Sequence, residues 1–256
     1  MQIRIDRPQS GDLPQLRSLW REAFGDPDAL IDDFFRTAYL PERCRCLTVD
    51  GTVAAALYWL DCTCRGARIA YLYAIATAEA YRGRGFCRAL MAETHRVLAE
   101  EGYRGAILVP AEPSLFGLYE RMGYRTATFS AEVKAEASDA GDALPIRRID
   151  GATYATLRRA YLPDGGVVQE GETVAFLETQ YALYAGEDFL LAASEEDGQI
   201  FGTELLGDVR VLPRLLYALN ASSGVFRTVG SEAPLSMYLP LAKDAPTPSY
   251  FGLPLD

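Results

Sequence analysis

Residues Tyr71–Met91, YLYAIATAEAYRGRGFCRALM, leave few folds open. They read as a strand, a basic glycine-bearing turn and a helix. Tyr71 to Thr77 is rich in aromatic and β-branched residues, as a half-buried strand is. From Phe86 to Glu101 the apolar residues Phe86, Leu90, Met91, Val97 and Leu98 recur at helical spacing. Gly102 stands where a left-handed residue closes a helix. The turn Arg82-Gly83-Arg84-Gly85 therefore lies at a helix N-terminus, where unpaired N–H groups and the helix dipole attract anions. Gly83 and Gly85 let the backbone approach a ligand closely, and Arg82, Arg84 and Arg88 add positive charge. The stretch predicts a phosphate or pyrophosphate site.

The chain has 256 residues, room for one large domain or two modest ones. No apolar run is long enough to span a bilayer, and MQIRIDRPQS enters a strand-like pattern instead of a signal peptide. The five cysteines are an odd number, which with no secretory signal predicts reduced thiols and a cytoplasmic location. The formal net charge is −10. Residues 1–134 are balanced, so the excess lies beyond them. Such a chain is repelled by nucleic acid and by anionic membranes. The acidic surface suits a cationic substrate, although solubility alone accounts for it as well.

In chain order, Ile3-Arg4-Ile5 reads as a strand, Asp12–Phe24 and Asp28–Tyr39 as amphipathic helices, and Cys44–Asp61 as a hairpin turning at Asp50-Gly51. A two-residue turn there sets Cys46 opposite Ala55. After the central stretch come a buried strand from Gly105 to Val109, a short helix from Ser114 to Arg121 and a strand from Thr126 to Val133. Cys44-x-Cys46 and Cys62-x-Cys64 lack chelating CxxC spacing, and no metal site is expected. His95, off the apolar stripe of its helix, is expected at the surface or rim.

The turn is neither a P-loop nor a GxGxxG dinucleotide motif, since no Lys-Ser/Thr follows it and Ala89-Leu90 stands where the last glycine is due. Arg82-Gly83-Arg84-Gly85-Phe86-Cys87 instead resembles motif A of the GNAT acyl-CoA N-acyltransferases, with Cys87 in place of the usual final Gly or Ala. Leu115–Tyr124, LFGLYERMGY, resembles the family's motif B, and the elements fall in the family's order. The resemblance implies an α/β (α+β) GNAT fold, with a mixed, mostly antiparallel sheet flanked by helices. It implies acetyl-CoA as co-substrate, a small cationic amine as acceptor, and direct transfer between them. It places Ile75, Ala76 and Thr77 against the pantetheine arm, with the Ile75 backbone donating to the acetyl carbonyl. It also makes Tyr119 the acid that protonates the departing thiolate. Nothing in the residues selects a general base among Tyr71, Tyr73, Glu112 and water. An acyl-CoA-binding sensor without turnover is the alternative reading.

Ala135–Leu144 has a linker composition, dividing residues 1–134 from residues 145–256. The second part reads as a smaller, degenerate GNAT-like copy. Ile146–Asp150 echoes Ile3–Asp6, Tyr154–Tyr161 and Thr173–Tyr184 read as the two helices, and strands flank Asp197-Gly198. The helix Val211–Asn220 follows with no RxxGxG turn. This arrangement resembles tandem acetyltransferases of the enhanced-intracellular-survival type, without their C-terminal domain. The apolar tail Tyr250–Asp256 either closes the second part's sheet, the plainer placement, or docks by the acceptor site. In the latter case the resemblance implies that the Asp256 α-carboxylate acts on the amine.

Overall fold

The computed structural model describes residues 2–139 and 144–255. The first half comprises β1 (Ile3–Asp6), α1 (Leu13–Phe24), α2 (Asp28–Thr37), β2 (Cys44–Val49), β3 (Thr52–Cys64), β4 (Ala67–Thr77), α3 (Phe86–Glu100), β5 (Gly105–Leu108), α4 (Phe116–Glu120) and β6 (Arg125–Glu136). The second comprises β7 (Arg147–Arg148), α5 (Gly151–Tyr161), β8 (Val168–Gln169), α6 (Glu172–Gln180), β9 (Ala182–Ala185), β10 (Phe189–Glu196), β11 (Gln199–Gly207), α7 (Leu212–Ala218), β12 (Ser223–Val229) and β13 (Ala233–Pro240). This is the mixed, helix-flanked α/β sheet expected.

All the strands belong to one sheet in the order β1-β2-β3-β4-β5-β13-β6-β12-β11-β10-β9-β7, with β8 pairing on β3. Among the described strands only β4–β5 and β11–β12 pair in parallel, each joined through a crossover helix, α3 or α7. The two halves thus follow the same plan. Their closing strands are exchanged: β13 lies on β5, and β6 lies on β12. The turns Asp50-Gly51 and Asp197-Gly198 take positive φ at both residues, the geometry that suits tight hairpins.

Helices α1, α2, α5 and α6 share one core on one face of the sheet. Phe34 of α2 meets Phe176 of α6 at 5.4 Å between ring centroids. Helices α3 and α4 cover the other face of the first half through Leu90, Met91, Leu98 and Tyr119, while α7 covers the second half. Glu172, at the start of α6, accepts from Arg43 and from the Asp61 N–H, tying that helix to β3.

Several boundaries differ from expectation. Ala54 is an extra residue in β3, so Cys46 stands opposite Ala56 and not Ala55; the Ala54 carbonyl accepts from the Ala78 N–H at 2.9 Å. The helix expected through Tyr184 stops at Gln180. Tyr181 is extended, and Leu183 and Ala185 alternate inward as β9. In so short an apolar run the two periods coincide. The ladder of β6 also runs through Ala135 and Glu136, which pair with Gly224 and Ser223.

Candidate active site

The site begins where two parallel strands part. β4 pairs with β5 only from Ile69 to Tyr71, opposite Gly105 to Ile107. Beyond Tyr71, β4 follows β3 alone, with Ala76 opposite Ala56 and Thr77 opposite Ala55. A register skip falls between Tyr73 and Ala76, and Ala74 within it takes φ +47°. A side-chain-bearing residue seldom holds that conformation, and a bulge re-aims the backbone around it. The opening is a cavity of about 410 Å³, bordered on the β4 side by Leu72, Tyr73, Ala74 and Ile75 and on the other by Val109, Pro110 and Ala111. Ile75 therefore stands at the opening. Ala76 and Thr77 lie further along, where the Thr77 carbonyl accepts from Arg82 Nε at 3.2 Å.

The glycine turn leads from there into α3. Gly83 and Gly85 have φ of +74° and +78°, and a Cβ built on either would meet nothing within 4 Å. Adding a side chain would thus fill open space above the helix end. The first bond of α3 runs from Ala89 N–H to the Gly85 carbonyl at 3.0 Å, leaving the N–H groups of Phe86, Cys87 and Arg88 outside the helical ladder. No acidic side chain stands in that turn. Arg82, Arg84 and Arg88 are exposed around it, with Arg84 lying 5.3 Å from the Tyr81 ring and donating to the Ala80 carbonyl. Phe86 is buried and anchors the helix; Cys87 is half-buried, and burial pushes its thiol pKa up. These groups fit a pyrophosphate. The corresponding connection into α7 differs: it has no glycine turn, and the Asp208 carboxylate accepts from the Arg210 N–H at the 3-10 turn that leads into the helix.

Tyr119 of α4 borders the same cavity and is buried. Burial, with Cys87 nearby, raises its pKa well above the usual phenol value, so the hydroxyl keeps its proton. Its ring packs at 6.0 Å from Tyr124, whose hydroxyl lies 2.7 Å from His95 Nε2. His95 thus sits at the rim of its helix's packing face rather than out in solvent. It is half-buried, and burial pushes its pKa from 6.5 down to about 4. Tyr71 and Tyr73 line the cavity, whereas Glu112 is exposed and accepts from Ser114. Cys44, Cys46, Cys62 and Cys64 are buried thiols of the shared core, with pKa values raised by burial. Among the described residues no group of His, Cys, Asp and Glu could hold a metal ion.

The far end of the cavity was not legible in the sequence. Trp20 and Phe24 come from α1 and Asp26 from the turn after it, Phe176 and Gln180 from α6, Tyr181 from the extended residue that follows, and Leu255 from the tail. Trp20 Nε1 donates to Asp26 Oδ2 at 2.7 Å. The tail is held by a buried polar network. Arg158 makes a two-pronged ion pair with Glu204, at 2.7 and 2.8 Å, and Glu204 also accepts from the Tyr154 and Tyr250 hydroxyls. Gln169 donates to the Leu253 carbonyl at 2.7 Å, and the Leu255 N–H donates to the Tyr71 hydroxyl at 3.1 Å. The tail thus runs up to Leu255 in the cavity wall. Asp256 itself lies outside the described residues.

Residues 4–127 match the family model described as an acetyltransferase (GNAT) domain. No curated protein sequence matches the chain. Solved structures with a similar fold include the GCN5-related N-acetyltransferase from Kribbella flavida, at 20% identity over 93% of this chain and 70% of that one, with a TM-score of 0.72. The GCN5-related N-acetyltransferase from Anabaena variabilis is similar at 14% identity over 94% and 73%, TM-score 0.73. Eis1 from Mycobacterium abscessus is similar at 15% identity over 94% and 74%, TM-score 0.70. At such identities the likeness establishes the fold, and it extends across both halves. Residues 4–127 thus carry an acetyltransferase (GNAT) domain.

Proposed function

We propose that the protein is an acyl-CoA-dependent N-acetyltransferase that moves an acetyl group directly from acetyl-CoA to the primary amine of a small cationic substrate. The observation that carries this reading is that the opened edge of β4 at Ile75 and the protonated phenol of Tyr119 border one cavity. Acetyl-CoA would supply the acetyl group as an activated thioester. The glycine turn and the exposed N–H groups of Phe86, Cys87 and Arg88 would hold its pyrophosphate, with Arg82, Arg84 and Arg88 screening the charge. The edge of β4 from Ile75 to Thr77 would orient the pantetheine arm, and an N–H aimed at the thioester oxygen would stabilise the charge developing there. As the nitrogen–carbon bond forms and the carbon–sulfur bond breaks, Tyr119 gives its proton to the leaving sulfur. The ammonium loses one proton before attack, and Asp256 is our candidate for the base that passes it to solvent, supported by Leu255 in the cavity wall. The second proton leaves the nitrogen once the nitrogen–carbon bond has formed and restores Tyr119.

Thiol release from acetyl-CoA over a panel of amines, with acetyl-CoA affinity measured by calorimetry, tests the reading. Tyr119→Phe is expected to keep the affinity and to lower kcat by roughly 10- to 1,000-fold, the contribution of one general acid. Full activity in that variant would remove Tyr119 from the chemistry. Tight acetyl-CoA binding with no turnover of any amine would favour a sensor instead.

A further inference from the structure

The acceptor end of the cavity is built largely of aromatic rings, with Leu30, Leu255 and the Gln180 amide between them. Trp20 packs at 5.8 Å from Phe24 and 5.6 Å from Tyr73, and Tyr73 continues to Tyr71 at 5.9 Å and to Phe176 at 6.3 Å. Tyr181 borders the same space. Among the described lining residues Asp26 is the only charged side chain. Its carboxylate is held in place by the Trp20 indole at 2.7 Å, and a carboxylate has acceptor sites left for a second donor.

We propose, on the transferase reading above, that the acceptor is a small amine with one positive charge carried on an aromatic or similarly flat apolar body. A single ammonium entering this space finds one carboxylate and the faces of electron-rich rings, which together offset its desolvation. With Asp26 the only charged side chain of the described lining and Asp256 proposed as the base for the reacting amine, each further ammonium of a polyamine or an aminoglycoside would be brought against rings with no counter-charge of its own. The many hydroxyl groups of a sugar would share few partners, the Gln180 amide and the tyrosine hydroxyls, whereas an aryl body stacks on the rings. Size points the same way. The cavity of about 410 Å³ is at the lower end for small-molecule sites, and it includes the opening between β4 and β5 where the thioester is to lie.

The test compares 2-phenylethylamine, spermidine and kanamycin on the intact protein. Thiol release from acetyl-CoA gives kcat/KM, and calorimetry on the coenzyme A complex gives affinity separately. 2-Phenylethylamine is expected to exceed both polycations roughly tenfold or more in kcat/KM and in affinity, a margin that one desolvated cation–π contact supports. Asp26→Asn keeps an acceptor for the Trp20 indole while removing the charge, and should weaken 2-phenylethylamine binding roughly tenfold. Phe24→Ala, at a position 40% exposed in the fold, should weaken it without lowering Tm. Preferential binding or turnover of spermidine or kanamycin overturns the proposal, as does failure of all three to bind. Preferential binding of 2-phenylethylamine with no thiol release upholds the proposal for the cavity and defeats the transferase reading instead.

Discussion

His95, the one histidine of the chain, shows how a residue's role can depend on neighbours that no local pattern reveals. Tyr124 is 29 positions away and holds it by a 2.7 Å bond. With a pKa of about 4 in the folded protein against an ordinary 6.5, His95 is neutral near pH 7. Between those two values the unfolded chain binds more protons than the folded one, so stability rises with pH across that window and falls on acidification. Replacing His95 with Gln should remove that contribution. Thermal unfolding between pH 7 and pH 4 should show the parent losing stability faster than the variant, and parallel curves would exclude the linkage. Residues whose signal is local were legible as candidates: Arg82 to Cys87 by composition and Tyr119 by motif, and the fold puts the first at the start of α3 and the second on the cavity. Ala74 was not, since alanine has no preference for positive φ and its conformation is imposed by β3 alongside.

The C-terminal segment beyond β13 is an element without regular structure, and its place rests on the Arg158–Glu204 pair. Burial alone would lower the Arg158 pKa, and the Glu204 carboxylate more than reverses this. Gly252 fits against that carboxylate because it lacks a side chain: a Cβ there would lie 1.8 Å from Glu204 Oε1 and 2.3 Å from the Tyr250 hydroxyl. Glu204→Gln leaves the guanidinium buried without its counter-charge, a change expected to cost about 3–5 kcal/mol. Urea unfolding should register that loss. Because Tyr250 shares the same carboxylate, the tail should also become more open to carboxypeptidase, and Leu255 should leave the cavity wall. An unchanged unfolding midpoint with a protected tail would show that the network does not position the segment. The apolar character of the tail was legible in the sequence, but its destination was not. The plainer placement, closing the second half's sheet, is not what it does: Tyr250 bridges to Gly166, just before the β8 strand that lies on β3, while Leu255 reaches Tyr71 of the first half.

The order of elements in each half could be read from hydrophobic period and turn residues, but the exchange of their closing strands could not. β6 and β13 both alternate along the strand, and either fifth strand satisfies such a pattern. The exchange makes the halves interdependent. Cutting the chain after residue 136 removes β13 from β5, exposing the backbone of a fully buried four-residue strand, and strips β6 of its partners on both sides. It also uncovers Trp20, Phe34 and Tyr58, which lie in the core that α5 and α6 complete. Unpaired edges and bared aromatics of this kind favour association over folding. A fragment spanning residues 1–136 is therefore expected to lack a cooperative thermal transition and to aggregate, even though it carries every residue of the anion turn and Tyr119. Co-expression with a fragment spanning residues 137–256 should restore a single transition and acetyl-CoA binding together, because each fragment supplies the strand that the other's sheet lacks. A cooperative transition in the isolated first fragment, with acetyl-CoA affinity near that of the whole chain, would show instead that the first half folds and binds without its partner strand.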